Sequence, residues 1–113
     1  MQIQIRKRNL ELTSELRGHV ERRLQFSLGR FGGRLRSAVV NLEDLNGLNG
    51  GADQECKLTI QTSWRCQIVI EERDADIFAA VARAAERAGR AMERQTALRY
   101  GSALRPTKVH FGD

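Results

Sequence analysis

Proline occurs once, cysteine twice and lysine three times in this chain of 113 residues, and aromatic side chains make up only 5% of it. The two cysteines, Cys56 and Cys66, have neither CxxC spacing nor a neighbouring histidine, so they point away from a disulfide framework or a thiolate metal site and towards structural thiols. No apolar run approaches the roughly 18 residues that a membrane-spanning helix needs. The opening MQIQIRKRNL alternates polar and apolar residues and lacks the apolar centre of a secretory signal. These absences lead us to expect a soluble cytoplasmic protein. With 41% hydrophobic residues the chain is too apolar to be disordered throughout, and its length suits a single core rather than a two-domain enzyme.

What is present divides by period. Residues 2 to 6 place Ile3 and Ile5 on one face, which is the pattern of a half-buried strand. Thr13 then reads as a helix cap, followed by Leu16, Val20, Leu24, Ser27, Leu28 and Phe31 on one side of a helix over about 13–31 that ends near Gly32-Gly33. Alternation returns with Ala38, Val40 and Leu42. The stretch NGLNGGAD, residues 46 to 53, holds three of the ten glycines and reads as a loop. Cys56, Leu58 and Ile60 share one face and Cys66, Ile68 and Ile70 another, with TSWR between them, which predicts a hairpin. From Asp74 to about Arg99 the pattern is helical, with Ile77, Val81, Ala84, Ala85, Ala88 and Met92 on the buried side. The expected fold is therefore α+β, a four-stranded sheet with two helices packed on one face in the order βαβββα. Residues 1–100 form the expected domain and 101–113 a flexible carboxy-terminal tail.

The basic surplus, 19 Lys plus Arg against 14 Asp plus Glu, is almost entirely arginine. A GC-rich genome would produce the same bias, so the question is whether the arginines share a surface. On a helical wheel Arg83, Arg87, Arg90 and Arg94 lie within about 60° of one another, and their centre is roughly 130° from the apolar side. Such a row points to a polyanion, although a solvated face with pairs such as Glu86 and Arg90 is the plainer alternative. On the first helix His19, Arg22, Arg23, Phe26 and Arg30 span an arc of about 100°. Phe26 reads either as a stacking ring or as a core-edge residue, and His19 as a packing residue. Trp64 at the hairpin tip reads equally as an anchor or as a lid on the sheet edge. The acidic cluster Glu71, Glu72, Asp74 and Asp76 is accounted for by the dipole at a helix start. No GK[ST] follows the glycines, so a phosphate loop is absent, and neither catalytic residues, metal, cofactor nor small-molecule substrate is expected.

Two segments carry a resemblance. Arg8-Asn9-Leu10-Glu11-Leu12-Thr13 leading into the first helix, and Asp76, Phe78, Ala79 and Ala80 opening the second, resemble the ribosome hibernation-promoting factors, also called ribosome-associated translation inhibitors. The resemblance covers Met1 to about Leu98. It implies a non-enzymatic translation regulator that binds small-subunit ribosomal RNA in the channel for messenger and transfer RNA. Arg22, Arg23, Arg30, Arg83, Arg87, Arg90 and Arg94 then correspond to the family's basic helix residues. Gln25 and Gly29 stand where such proteins often carry Lys, and the loop at 46–53 is longer than usual, which suggests a divergent branch. The length leads us to expect the short form, without the carboxy-terminal dimerisation domain of longer members. The competing reading is a protein–protein or self-association module that uses the free sheet edge without RNA.

Overall fold

The structure is a computed structural model that describes residues 1–45 and 53–101; most of the glycine-rich stretch, 46–52, and the tail from 102 onward lie outside the described residues. The elements are β1 (Gln2–Arg8), α1 (Ser14–Leu28), β2 (Leu35–Asp44), β3 (Gln54–Thr62), β4 (Gln67–Asp74) and α2 (Ile77–Thr96). The βαβββα order expected from the periodicities is the order observed. The strands lie in the order β1-β2-β3-β4, with β1 parallel to β2 and the other neighbours antiparallel.

The alternation of each strand puts its apolar residues on the helix-covered face. Ala38, Val40 and Leu42 of β2, Cys56, Leu58 and Ile60 of β3, and Ile68 and Ile70 of β4 are all buried. Ile3 and Ile5 of β1 sit opposite Ala38 and Val40 and pack against this core from the sheet edge. From above, α1 contributes Leu16, Val20, Leu24 and Leu28, and α2 contributes Ile77, Ala80, Val81, Ala84, Ala85, Ala88 and Met92. Among the described residues no helix is long and apolar enough to cross a membrane.

The helix ends differ in detail from the wheel. Thr13 caps α1 as its residue type suggests, its Oγ1 accepting from the Leu16 N–H at 3.1 Å. The α-helix stops at Leu28, and residues Gly29–Arg34 tighten into a 3-10 turn in which Gly32 takes φ +52°. That conformation is one that a Cβ disfavours, so the glycine is what lets the chain turn into β2. α2 begins three residues later than the acidic start at Asp74, because Asp74 is still paired with Gln54 in the sheet ladder. Asp76 is the true cap, accepting from the Phe78 N–H at 3.0 Å, while Gln54 Oε1 takes the Ile77 N–H at 3.0 Å.

The two helices run side by side in the same direction, as His19 against Phe78 and Arg30 against Glu93 show. They pack tightly at Gly89, where an added Cβ would stand 3.1 Å from the Ser27 carbonyl oxygen. A Gly89→Val substitution should force the helices apart and cost about 1–3 kcal/mol, the usual range for overpacking, which urea unfolding would measure.

The β3–β4 hairpin is held from within. The Thr62 hydroxyl is fully buried; it accepts from the Cys66 N–H at 2.8 Å and donates to the Cys66 carbonyl at 3.0 Å. Trp64 folds back to pack against the core cluster, which favours its role as a lid. Arg65 closes the turn at φ +65°, a position that hairpins of this kind usually give to glycine. Arg65→Gly should therefore raise stability by about 1 kcal/mol, read as a higher unfolding midpoint.

Candidate nucleic-acid interface

The α2 row begins where the helix leaves the sheet. Because small residues face the sheet, α2 lies close to β4, and the long stems of Arg83 and Arg87 reach down its flank. Arg83 donates through Nε to Glu72 Oε1 at 3.1 Å and through Nη2 to the Arg73 carbonyl at 2.8 Å, and its Nη1 lies 3.0 Å from Asp74 Oδ2. Arg87 donates through Nη1 to Glu72 Oε2 at 2.6 Å and to the Glu71 carbonyl at 3.1 Å. Glu72 thus holds one guanidinium on each carboxylate oxygen.

The row does lie away from the apolar side of α2, but its first half is not left to solvent. A wheel treats α2 alone, whereas the antiparallel β4 brings Glu72 and Asp74 under the first half of the row. It also changes the account of the acidic cluster: Asp76 caps the helix, Asp74 braces the turn through the Asp76 N–H at 2.8 Å, and Glu72 clasps two arginines. Glu71 lies 3.9 Å from Lys57 instead.

The second half of the row is less engaged. Arg90 lies 3.8 Å from Glu86 with both side chains more than half exposed, a pair that is worth little in water. Arg94 is exposed and has no ion pair among the described residues.

On α1, Arg22 is exposed, and its Nη1 lies where a Cβ on Gly18 would come within 3.0 Å. Arg23 is half-buried, and its Nε is buried without a hydrogen-bond acceptor. Arg30 rests over the Phe31 ring at 4.8 Å and lies 3.8 Å from Glu93. Phe26, for which two roles were open, is 85% exposed and does not join the core. His19 pins the seam between the helices, its Nε2 2.9 Å from the Phe78 carbonyl and its ring 4.9 Å from the Phe78 ring.

The structure therefore does not merge the seven arginines into one patch. Glu86 and Glu93 stand on the side of α2 that faces α1, as the 3.8 Å approach of Glu93 to Arg30 shows, and they separate the α1 set from the α2 row. A further basic run, Arg6, Lys7 and Arg8 on β1, is exposed at the sheet edge and was not among the candidate binding residues read from the sequence. Three consecutive cations on an edge strand were the available signal. On the open sheet face a concavity of about 610 Å³ is lined by those residues with Glu43, Glu55, Lys57 and Glu71, so its charges are of both signs. Cys56 is buried, and burial, reinforced by Glu55 and Glu72, pushes its thiol up to about 12, where it is inert as a nucleophile at neutral pH.

With this geometry in place, comparison with known proteins is informative. The chain belongs to the family described as Sigma 54 modulation protein / S30EA ribosomal protein, whose pattern matches residues 3–98. This agrees with the resemblance carried by residues 8–13 and 76–80. The N-terminal domain of Protein Y from Thermus thermophilus is 29% identical, with a TM-score of 0.72 over 84% of this chain and 99% of that one. A ribosomal subunit interface protein from Coxiella burnetii shares the fold at 12% identity, with a TM-score of 0.73 over 86% of this chain and 99% of that one. No sequence among the curated proteins matches the chain.

The clasp has a pH signature. The Arg87 guanidinium, with Arg83 behind it, holds the Glu72 carboxyl below its ordinary range against the opposing effect of partial burial. The Asp76 N–H and then Arg83 do the same for Asp74. Carboxyls depressed in the folded state contribute stability that is complete above the ordinary carboxylate range and is lost as pH falls through their folded values. Glu72→Gln should therefore unfold at lower urea than wild type at pH 7, and the gap should narrow steadily as the pH is taken down to about 3.

Proposed function

We propose that this chain is a ribosome-associated translation regulator that occupies the messenger and transfer RNA channel of the small subunit. It presents Arg22 and Arg23 on α1, Arg30 in the turn that follows it, and Arg83, Arg87, Arg90 and Arg94 on α2 to ribosomal RNA phosphates. Family membership supports the ribosome as partner, and the similar structures, the N-terminal domain of Protein Y and a ribosomal subunit interface protein, point the same way. The observation that carries the choice of surface is the set of exposed guanidinia on two parallel helices, of which Arg22 and Arg94 have no ion pair among the described residues.

The mechanism is occupancy of a site rather than bond chemistry, and the working unit is residues 1–100 acting in the cytoplasm. The residues do not contribute alike. Arg83 and Arg87 are already committed to Glu72 and to carbonyls of β4, so they fix the angle of α2 and offer a phosphate only their remaining N–H groups. Arg22, Arg90 and Arg94 are free to take phosphates directly. Guanidinium suits this task because it stays charged and grips a phosphate through two N–H groups.

The alternative of self-association through a sheet edge has one observation in its favour, the half-exposed Val69 on edge strand β4. Charged residues at both edges oppose it: Arg6, Lys7 and Arg8 on β1, and Glu71, Glu72, Arg73 and Asp74 on β4.

For about five phosphate contacts, affinity for small subunits should fall roughly 10²–10³ between 50 and 200 mM salt. Arg90→Glu combined with Arg94→Glu should leave the fold intact, because neither residue joins the clasp, and should abolish co-sedimentation with small subunits at physiological salt. Pelleting of that double variant as wild type does would remove α2 from the binding surface. A concentration-dependent oligomer that ignores RNA would favour the sheet-edge reading.

A further inference from the structure

Among the described residues Phe26 is the most exposed of the large apolar side chains, at 85% against 37–52% for Met1, Val69, Phe78 and Leu98. It lies in the last turn of α1, on the face turned away from Leu16, Val20, Leu24 and Leu28, so it adds nothing to the core. As a helix residue it is poorer than the Lys, Glu or Gln that would serve an ordinary solvated position. A single exposed ring needs no explanation by itself; its neighbours supply one. Arg22, Arg23 and Arg30 stand four and three residues before it and four after it. Within α1, spacings of four and three place Arg22 and Arg23 on the side of Phe26, about 6 Å and 4.5 Å away along the axis, and Arg30 follows in the 3-10 turn just beyond the helix end. Among the described residues Arg22 and Arg23 have no carboxylate partner, and Arg23 Nε lacks any acceptor. Arg30 has only the 3.8 Å approach to Glu93. Phe78, the other exposed ring nearby, is already covered by His19 at 4.9 Å, whereas no ring or cation is stacked on Phe26.

We infer that Phe26 is a stacking platform for an unpaired base of the bound RNA, with Arg22, Arg23 and Arg30 taking the phosphates on either side of that base. This rests on the reading that the chain binds small-subunit RNA. An aromatic face set among cations is the chemistry that single-stranded nucleic acid recruits, since every base offers a π-face and each nucleotide brings its own negative charge. A protein patch on the same ring would bring no such charge with its apolar contact and would leave the guanidinia of Arg22 and Arg23 without a counter-charge.

The test is binding of wild type, Phe26→Leu and Phe26→Trp to purified small subunits at two salt concentrations, with thermal unfolding as a control for the fold. Phe26→Leu keeps an apolar side chain but loses the ring, and should weaken binding roughly 5- to 100-fold while leaving the salt dependence unchanged. Phe26→Trp should bind as tightly as wild type or more so. Ultraviolet irradiation of the wild-type complex should attach a nucleotide at Phe26, detected by mass spectrometry of the digested protein. Equal binding of Phe26→Leu and wild type, or a cross-link from Phe26 to a ribosomal protein in place of RNA, overturns the inference while leaving the proposed function in place. Failure of wild type to bind small subunits at any salt overturns both.

Discussion

The close approach of α2 to the sheet is the constraint from which most of the remaining architecture follows. Ala80, Ala84, Ala85 and Ala88 are fully buried against the sheet and its neighbours, and Gly89 admits the backbone of α1 at Ser27. Larger residues there would lift the helix, and the arginine stems on its flank would no longer reach β4. Because the helix lies low, Arg83 and Arg87 meet the carbonyls of Glu71 and Arg73 and the carboxylate of Glu72. Packing of small side chains thus sets up the electrostatics, and the electrostatics in turn hold the helix at its angle. The late start of α2 belongs to the same chain of causes, since β4 must run as far as Asp74 to bring its acids beneath the row.

That coupling sorts the basic residues into those that build and those that remain available. A guanidinium bonded to two carboxylates and a carbonyl, as Arg83 is, has been recruited into the fold. Arg94, with no ion pair among the described residues, pays the full repulsion of its neighbours without any return from within the chain. Glu86 and Glu93 moderate the repulsion on the side of α2 nearest α1, and in doing so they divide the positive surface in two. A polyanion lying across both helices would meet a basic, then an acidic, then a basic zone. Its path would follow each helix more readily than it would cross the seam.

The fold was legible in the sequence because periods of two and of 3.6 are local properties, and every strand and helix here obeys one of them. Most of the buried faces of α1 and α2 were readable for the same reason; Ala80 and Gly89 escaped because small residues carry little hydropathy signal, and Ser27, expected on the buried side, is only half-buried. The cap at Asp76 was harder to place, since four acids lie within six positions and only the ladder partner Gln54 decides which of them ends the strand. The Glu72 clasp was not readable at all. It joins residues 11 and 15 positions apart on different elements, and a wheel drawn for one helix contains no neighbouring strand. The separation of the two basic sets was hidden likewise, because it depends on the parallel alignment of the helices. Phe26 was ambiguous on the wheel, where it falls just beyond the apolar arc, and only the burial of its neighbours shows that the core closes without it.

The preference for arginine over lysine gains a physical reading from these contacts. A lysine at position 83 could place one ammonium near Glu72, but it could not meet Glu72, the Arg73 carbonyl and Asp74 from three separate nitrogens in the fixed plane that Arg83 uses. A planar fork with five donors can satisfy the fold with some of its N–H groups and still offer others outward. Codon bias accounts for an excess of arginine, but it does not account for where the arginines sit or what each fork touches. On α2 the same residue type recurs at each step of the row, serving the fold at one end and facing solvent at the other. The change from structural to exposed arginine along one helix is set by where the acids of β4 lie: Glu72 and Asp74 stand beside the first half of the row, whereas Cys66, its Sγ 3.7 Å from Gln95 Oε1, marks the part of the hairpin beside the far end.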